Sequence, residues 1–165
     1  MTTVTVRKIA AADQAEAHEV DRLATLDLRK VYRPNDTAVQ RRKKLGRLVK
    51  LVAVVDGRIV GTAQYQIRNR QLSFLGLGVH PAVRRRGVAT AVIKELERIA
   101  RKSDCETLAL YTVRETGNVK IFDRMGFVVK SEEPSRLFES DRYKLLTEVF
   151  MSKNVNALKV DYPVR

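Results

Sequence analysis

A glycine-punctuated strand, three consecutive arginines and an amphipathic helix follow one another in residues 74–100, FLGLGVHPAVRRRGVATAVIKELERIA. Gly87 stands at the predicted start of the helix, directly after Arg84, Arg85 and Arg86. The first N–H groups of a helix have no partner inside it, and the helix dipole adds partial positive charge there. A glycine admits a ligand close to the backbone, and arginines attract anions. The stretch therefore predicts a phosphate site; the alternative is an ordinary solvated run of charge.

Two common nucleotide motifs do not account for this site. The segment GLGVHP begins like the dinucleotide fingerprint G-x-G-x-x-G, but Pro81 stands where the third glycine belongs. The sequence contains no G-x-x-x-x-G-K-[ST], the phosphate loop of many NTPases. The motifs therefore argue against a Rossmann dinucleotide and against a P-loop triphosphate.

Composition predicts one globular domain over residues 1–165. The chain is 44% hydrophobic and 31% charged, and its net charge of +13 indicates an anionic partner, several such partners, or only solubility. A single cysteine, Cys105, excludes an internal disulfide and a cysteine-based zinc cluster, and no metal is expected. The start lacks the apolar core of a signal peptide, and no apolar run reaches membrane-spanning length. We therefore expect a cytoplasmic protein with no membrane partner.

Hydrophobic periodicity predicts the order β-α-α-β-β-β-α-β-α-β-β, a mixed α/β or α+β domain. The first helix is expected from Ala11 to about Lys30, and the second from a cap at Asp36 or Thr37 through Leu48. The dipeptide Asp56-Gly57 predicts a tight hairpin between the next two strands. The segments FVVKSE and YKLLTEVFMSK are predicted as the last two strands. The glycines of the strand QLSFLGLGV suggest a bulge or a close backbone approach.

The segment VHPAVRRRGVAT resembles the acyl-CoA-binding motif of the GNAT superfamily of N-acetyltransferases. That motif is a strand ending in V-x-P, followed by [QR]-x-x-G-x-[GA] and a helix. Arg84, Gly87 and Ala89 occupy its three fixed positions. A second family segment, often N-x-x-A-x-x-L-Y-E-K-x-G-F, aligns onto residues 115–127, where its final Gly-Phe matches.

The resemblance implies a mixed central sheet with splayed fourth and fifth strands, helices on both faces, and acetyl-CoA as co-substrate. It implies that the pantetheine arm lies in the gap between those strands, opened by a bulge at Gly76–Gly78. Main-chain groups of Leu77 and Val79 would bind the arm, and the amides from Arg85 through Thr90 would receive the pyrophosphate. The residues so implied at the cofactor are Leu77, Gly78, Val79, Arg84, Arg85, Arg86, Gly87, Val88, Ala89, Thr90, Asn118 and Phe122.

For catalysis, the resemblance implies that the backbone N–H of Val79 stabilises the oxyanion. Phe122 departs from the family, because a tyrosine that protonates the leaving thiolate often stands there. A thiol has a pKa of about 8.5, so a thiolate can leave without full protonation. Tyr111 and Tyr143 are substitute acids, and the alternative for each is a packing or surface role.

The general base is open at this stage, because the fourth strand lacks the acidic residue that many family members use. Glu115, where the family often has Asn, is a candidate to orient the acceptor amine or to act as base through water. The alternative is a solvated carboxylate near a helix start. His80 has a suitable unperturbed pKa for a base, and its alternative is a turn residue before Pro81.

A second basic cluster, RRKKLGRLVK, occupies residues 41–50. It is either a solvated helix face or a site for an anionic acceptor or surface partner, such as RNA or an acidic protein. The family resemblance places the segment KVYRPND beside the acceptor, with Tyr32 and Arg33 as contacts. Pairing of the late strands in a homodimer is a further option.

The leading functional hypothesis is an acetyl-CoA-dependent N-acetyltransferase in which a primary amine attacks the thioester directly. A second hypothesis, motivated by Phe122 and the missing strand carboxylate, is a CoA-binding regulatory module with little catalysis. A third, motivated by the basic charge, is an acetylase or binder of RNA-linked amines. The sequence does not identify the acceptor.

Overall fold

The computed structural model describes residues 3–156. Within them, seven strands form one sheet: β1 Thr5–Lys8, β2 Val49–Val55, β3 Arg58–Arg68, β4 Gln71–Val79, β5 Thr107–Val113, β6 Val128–Pro134 and β7 Thr147–Asn154. The described α-helices are α1 Gln14–Arg29, α2 Asp36–Lys44, α3 Val88–Lys102 and α4 Asn118–Arg124. None of these helices combines the length and apolar character needed to cross a membrane.

The sheet has the strand order β1-β2-β3-β4-β5-β7-β6, and its neighbours are antiparallel except for β4 and β5. These two strands run parallel and pair only where Gln71–Ser73 meets Thr107–Ala109. Beyond Ser73 and Ala109 the strands no longer pair, so a gap opens between them. The predicted splay of the fourth and fifth strands is confirmed.

Helices cover both faces of the sheet, as expected. The side chains of β2 point alternately to the two faces, so they show which helix packs on which face. Leu51 and Ala53 join the large core cluster that contains Val92 of α3. Val52, between them, joins the smaller cluster that contains Val20 of α1. The apolar stripe of α3 therefore packs on one face, called here the α3 face, and α1 packs on the other, called the α1 face.

A β-bulge in β4 confirms the prediction made from its glycines. Thr62 of β3 pairs with Gly78, whereas Gln64 pairs with Leu75, so β4 carries one extra residue between these pairs. Gly76 lies inside this interval with φ +64°, a left-handed conformation that glycine adopts without a steric penalty.

The bulge exchanges the two faces of β4, because one extra residue reverses the alternation of side chains. Before the bulge, Phe74 belongs to the core cluster on the α3 face. After it, Leu77 and Val79 pack against that same cluster. The residues that face α3 therefore change from even-numbered to odd-numbered positions. Gly78 turns to the α1 face, where an added Cβ would stand 2.9 Å from the Cβ of Ala24.

The second helix is shorter than predicted and is capped by a different residue. It ends at Lys44 rather than Leu48, because Leu45 has already left helical geometry, with ψ 140°. Asn35, rather than Asp36 or Thr37, is the cap: its Oδ1 accepts the N–H of Ala38 at 2.9 Å. An extended backbone at Asn35 allows its short side chain to reach that N–H.

The last strand also differs from its prediction, and a short ribbon was missed altogether. β7 begins at Thr147, and the segment from Tyr143 before it belongs to the preceding loop. Residues 33–34 pair antiparallel with residues 138–139, and the N–H of Asn35 donates to the carbonyl of Leu137 at 2.9 Å. This ribbon joins the α1–α2 connection to the β6–β7 loop. Strands of only two residues leave no periodic pattern in the sequence, so a contact between segments so far apart in the chain could not be predicted.

Candidate active site

The start of α3 lies open and without a side-chain cap. Gly87 adopts φ +83° and ψ 9°, and no side chain bonds the first turn. The first helical bond runs from the N–H of Ala91 to the carbonyl of Gly87 at 3.0 Å. The N–H groups of Val88, Ala89 and Thr90 therefore lack helical acceptors. An added Cβ at Gly87 would meet nothing within 4 Å, so the space beside these N–H groups is free for an anion.

The three arginines before the helix divide into two kinds. Arg85, with φ +64°, and Arg86 are exposed at the turn. Arg84 instead donates from Nη1 to Oδ2 of Asp27 on α1, at 2.8 Å. Hydrogen bonds from Arg84 and Lys30 hold the pKa of the Asp27 carboxyl below its ordinary value. Arg84 thus ties the turn to α1, and its predicted contact with the cofactor stays a prediction.

Main-chain groups of β4 face the gap next to this helix start. The N–H of His80, just past β4, donates to the carbonyl of Val60 on β3 at 2.8 Å. Along an antiparallel strand, successive residues direct their N–H and C=O groups to alternate sides. Val79, one residue earlier, therefore presents its N–H and C=O to the gap, and Leu77 shares that side. Both are residues predicted to bind through their backbone.

Two glycines allow α3 and α1 to lie close to the sheet beside the gap. An added Cβ at Gly61 of β3 would stand 2.9 Å from Cγ1 of Val88, the first residue of α3. The corresponding Cβ at Gly78 of β4 would stand 2.9 Å from that of Ala24 on α1. The two glycines let α3 and α1 approach the sheet beside the gap, so they position the helix start against β4.

Three phenylalanines pack together on the α3 face where β4 leaves β5. Phe122 of α4 lies edge-to-face with Phe74 at 6.2 Å and with Phe127 at 5.8 Å between ring centroids. Phe74 and Phe127 are themselves in edge contact at 6.0 Å. Phe122 is thus partly buried and packs against the core at the base of the gap. It has no hydroxyl, so it supplies no proton to a leaving group.

Tyr111 occupies the opposite face of the sheet. Its neighbour Leu110 belongs to the core on the α3 face, so alternation along β5 directs Tyr111 the other way. The Tyr111 side chain is 69% exposed, and its ring lies 4.8 Å from that of Phe150 on β7. Tyr111 follows the last β5 residue paired with β4, Ala109, by two positions. Its hydroxyl is therefore accessible on the face of the gap that Phe122 does not occupy.

The two candidate bases have structural partners. Nδ1 of His80 accepts the N–H of Ala82 at 3.0 Å and caps the short turn that follows. Glu115 accepts the N–H of Thr147 at 2.7 Å through Oε1 and the Thr147 hydroxyl at 3.2 Å through Oε2. The two hydrogen bonds of Glu115 anchor the end of β5 to the start of β7. The catalytic roles of His80 and Glu115 stay predictions.

The residues predicted on the acceptor side belong to the ribbon. Tyr32 packs edge-to-face on Phe138 at 4.8 Å, and burial raises the pKa of the Tyr32 hydroxyl. Arg33 donates to Glu139 at 3.0 Å and pairs with Asp141 at 3.1 Å. The charge of Arg33 is therefore largely neutralised within the protein. Asn118, predicted at the cofactor, lies in the first turn of α4, where its N–H donates to the Thr116 hydroxyl at 3.2 Å.

A polar network beside the bulge was not found from the sequence. The carboxylate of Asp21 on α1 accepts the hydroxyl hydrogen of Thr62, which is 1% exposed, and a hydrogen bond from Lys50 at 2.5 Å. Thr62 pairs with Gly78, so the network lies under the strand that lines the gap. Its three members come from α1, β2 and β3, and no spacing in the sequence relates them.

A family model places this geometry in context. Residues 16–127 match the model of the acetyltransferase (GNAT) family. The match spans most of the chain, and it includes the strand, the turn and the start of α3. The chain belongs to this family.

Solved structures with the same fold include known N-acetyltransferases. The ribosomal-protein-S18-alanine N-acetyltransferase of Escherichia coli has a TM-score of 0.72 at 14% identity, covering 93% of this chain and 94% of that one. The paia N-acetyltransferase of Thermoplasma acidophilum, in complex with coenzyme A, has 0.69 at 16%, covering 92% and 99%. The yncA protein of Salmonella typhimurium, with its cofactor acetyl-CoA, has 0.67 at 18%, covering 93% and 94%. The predicted GNAT fold is confirmed.

Proposed function

We propose that this chain, as a single domain, transfers an acetyl group from acetyl-CoA to a primary amine. The observation that carries the proposal is the uncapped, open start of α3, next to a gap into which β4 directs main-chain N–H and C=O groups. A phosphate-bearing thioester with a long amide-containing arm matches both features. The residues present therefore fit acetyl-CoA, which would supply the activated acetyl group.

In this proposal the N–H groups from Arg85 through Thr90 bind the pyrophosphate, and the exposed Arg85 and Arg86 add electrostatic attraction. Leu77 and Val79 hydrogen-bond the arm along the gap. The N–H of Val79 stabilises the negative charge that develops on the carbonyl oxygen when the amine attacks. A donor fixed in advance by the sheet needs no reorganisation during the reaction. Positioning of this kind supplies much of the rate.

Proton transfer is assigned to the face opposite Phe122. Tyr111 is exposed there beside the gap, and we assign it the role of donor to the leaving thiolate. The attacking amine must lose a proton, and water held near Glu115 or His80 is the proposed route. Glu115 keeps free acceptor capacity, since a carboxylate has about four lone-pair sites. His80 accepts the N–H of Ala82 at Nδ1, so a neutral imidazole carries its proton on Nε2 and can accept a proton only after releasing that bond.

A CoA-binding regulatory module is the second candidate. Phe122 favours it, because its ring has no hydroxyl and packs against Phe74 and Phe127, so this position supplies no proton donor. This candidate predicts CoA binding and slow thioester hydrolysis without transfer. A cytoplasmic location, a homodimer and a role with RNA-linked amines stay predictions from the sequence.

An acetyl-transfer screen tests the proposal. Amino acids, polyamines, aminoglycosides, peptides and aminoacylated RNA are incubated with acetyl-CoA; free thiol and the mass of each acceptor are measured. The expected result is CoA release coupled to acetylation of at least one amine class. Hydrolysis without any acetylated acceptor supports the regulatory module. Absence of thermal stabilisation by CoA overturns both.

A further inference from the structure

Six exposed basic side chains lie on α2, on the loop that follows it and at the end of β3. They are Arg41, Arg42, Lys43 and Lys44 of α2, Arg47 of the following loop and Arg68 at the end of β3. We call this set the α2 basic surface. In residues 3–156 none of the six lies within ion-pair distance of an acidic group.

Helix electrostatics explains only part of this charge. Cations are favourable in the last turn of a helix, which accounts for the four residues of α2. Arg47 and Arg68 lie outside any helix, yet they add to the same uncompensated charge. Many other arginines of the chain do have carboxylate partners, for example Arg58 with Glu16 at 3.0 Å. A cluster of like charges is destabilised by mutual repulsion, so an external anion would relieve it.

The α2 basic surface begins at the bulge of β4. Arg42 donates from Nη2 to Oε1 of Gln64 at 2.7 Å. The same Oε1 stands 3.7 Å from the position of an added Cβ at Gly76, inside the bulge. Ala63 and Tyr65 belong to the core on the α3 face, so Gln64 lies on the α1 face. This is the face on which Tyr111 is exposed.

A cavity of about 370 Å³ is lined by Arg47 of the loop that follows α2 and by Arg68 of β3. Val49 and Ile67 contribute apolar surface to it, and Gln66 adds an amide. Such a mixture suits side chains that combine a short apolar stem with a carboxylate. Tyr65, the aromatic residue of the lining, is 7% exposed, so it offers no platform for stacking a base. The lining therefore favours an acidic peptide over RNA.

We propose that the α2 basic surface binds an acidic peptide segment of the acceptor and thereby holds the acceptor amine at the gap. Bidentate arginine–carboxylate pairs with Arg47 and Arg68 anchor the segment. The remaining basic groups attract it at longer range. The statement about the amine rests on the proposed acetyl transfer, whereas binding of the acidic segment does not.

Fluorescence anisotropy tests the binding directly. The probes are a labelled peptide of alternating Glu and Gly residues with a free amino terminus and the same peptide with Gln in place of Glu. The Glu peptide is expected to bind at least about tenfold more tightly than the Gln peptide, and salt should weaken its binding. The double variant Arg47→Glu/Arg68→Glu should remove this preference. Arg47→Gln/Arg68→Gln should weaken it with less disturbance of the charge balance.

Lys130→Glu is the matched control, because Lys130 is exposed on β6, an edge strand that β4, β5 and β7 separate from β3. It should bind the Glu peptide as the unmodified protein does. The inference is overturned if both peptides bind equally, if Lys130→Glu weakens binding as much as the double variant, or if an oligoribonucleotide binds more tightly than the Glu peptide. Thermal stabilisation by CoA is recorded on the same samples. If CoA does not stabilise the unmodified protein although the Glu peptide binds to it, the result counts against acetyl transfer and not against the acidic-segment site.

Discussion

The rings of Phe74 and Phe122 pack edge-to-face, with centroids 6.2 Å apart, at the point where β4 and β5 separate. This contact closes the base of the gap on the α3 face with apolar surface. Tyr111 is 69% exposed on the other face, to which the proposed function assigns proton transfer and the acceptor. The proposal therefore places the proton chemistry on the side of the sheet opposite the Phe74–Phe122 contact.

Replacing Tyr111 by Phe tests this division. Tyr111→Phe should lower kcat at least about tenfold, because general acid catalysis contributes about 10²–10⁴-fold. KM for acetyl-CoA should not change, since the hydroxyl is assigned no part in binding. Steady-state kinetics over a range of pH measures both. Tyr143→Phe is the comparison, because the sequence offered Tyr143 as the other substitute acid and the proposed mechanism gives it no role; it is partly exposed in the loop before β7, and its loss should leave kcat unchanged. Equal kcat for Tyr111→Phe and the unmodified enzyme would remove Tyr111 from the mechanism.

The contact between Gly78 and Ala24 makes a prediction about stability. Gly78→Ala should reduce the free energy of unfolding by about 1–3 kcal/mol, because the added Cβ would stand 2.9 Å from that of Ala24. Ala24→Gly in the same chain removes the opposing Cβ, although glycine inside a helix costs about 1 kcal/mol. Urea denaturation of both single variants and the double variant measures the coupling. Strictly additive losses would show that the helix does not rest on Gly78.

Arg84 and Asp27 form an exposed pair whose two members are predicted to act in opposite ways. Arg84→Ala removes a cation near the start of α3 and should weaken binding of acetyl-CoA. Asp27→Asn removes a nearby anion, so binding should be equal or tighter. Isothermal titration of the two variants gives the comparison. If both substitutions weaken binding alike, the pair matters only as an anchor of the turn.

Cys105 should be inert in the folded protein. It is 0% exposed, and burial raises the pKa of its thiol. At mildly alkaline pH it should not react with a disulfide reagent until the chain is unfolded in urea. The raised pKa also has a consequence for stability. The unfolded thiol ionises above about pH 8.5 while the folded one does not, so stability should fall as pH rises past that value. Rapid labelling of the native protein would contradict this account.

Sequence patterns were sufficient for the features that depend on neighbouring residues. The hairpin at Asp56-Gly57 has both residues at positive φ, +49° and +77°, as that dipeptide favours. The apolar stripe of α3 and the bulge at Gly76 were likewise readable, because each follows from local spacing or from glycine. The resemblance to a known family supplied the splay of β4 and β5.

Features that join distant segments were not readable. The ribbon brings Arg33 to Glu139, 106 positions away. The carboxylate of Glu115 is bonded to Thr147, which sequence alone could not place nearby. In both cases the partner is selected by the tertiary fold, and a charged or polar side chain carries no signal of which partner it will meet.

Binding of acetyl-CoA to the start of α3 is tested most directly by isothermal titration of the unmodified protein, Gly87→Ala and Gly57→Ala. Both glycines adopt positive φ, +83° and +77°, and an added Cβ at either would meet nothing within 4 Å. Their backbone penalties should therefore match, at about 1–2 kcal/mol. The account predicts that the unmodified protein and Gly57→Ala bind acetyl-CoA alike, whereas Gly87→Ala binds it at least about tenfold more weakly because its methyl group enters the phosphate site. Equal affinities for the two variants, or no binding by the unmodified protein, would contradict it.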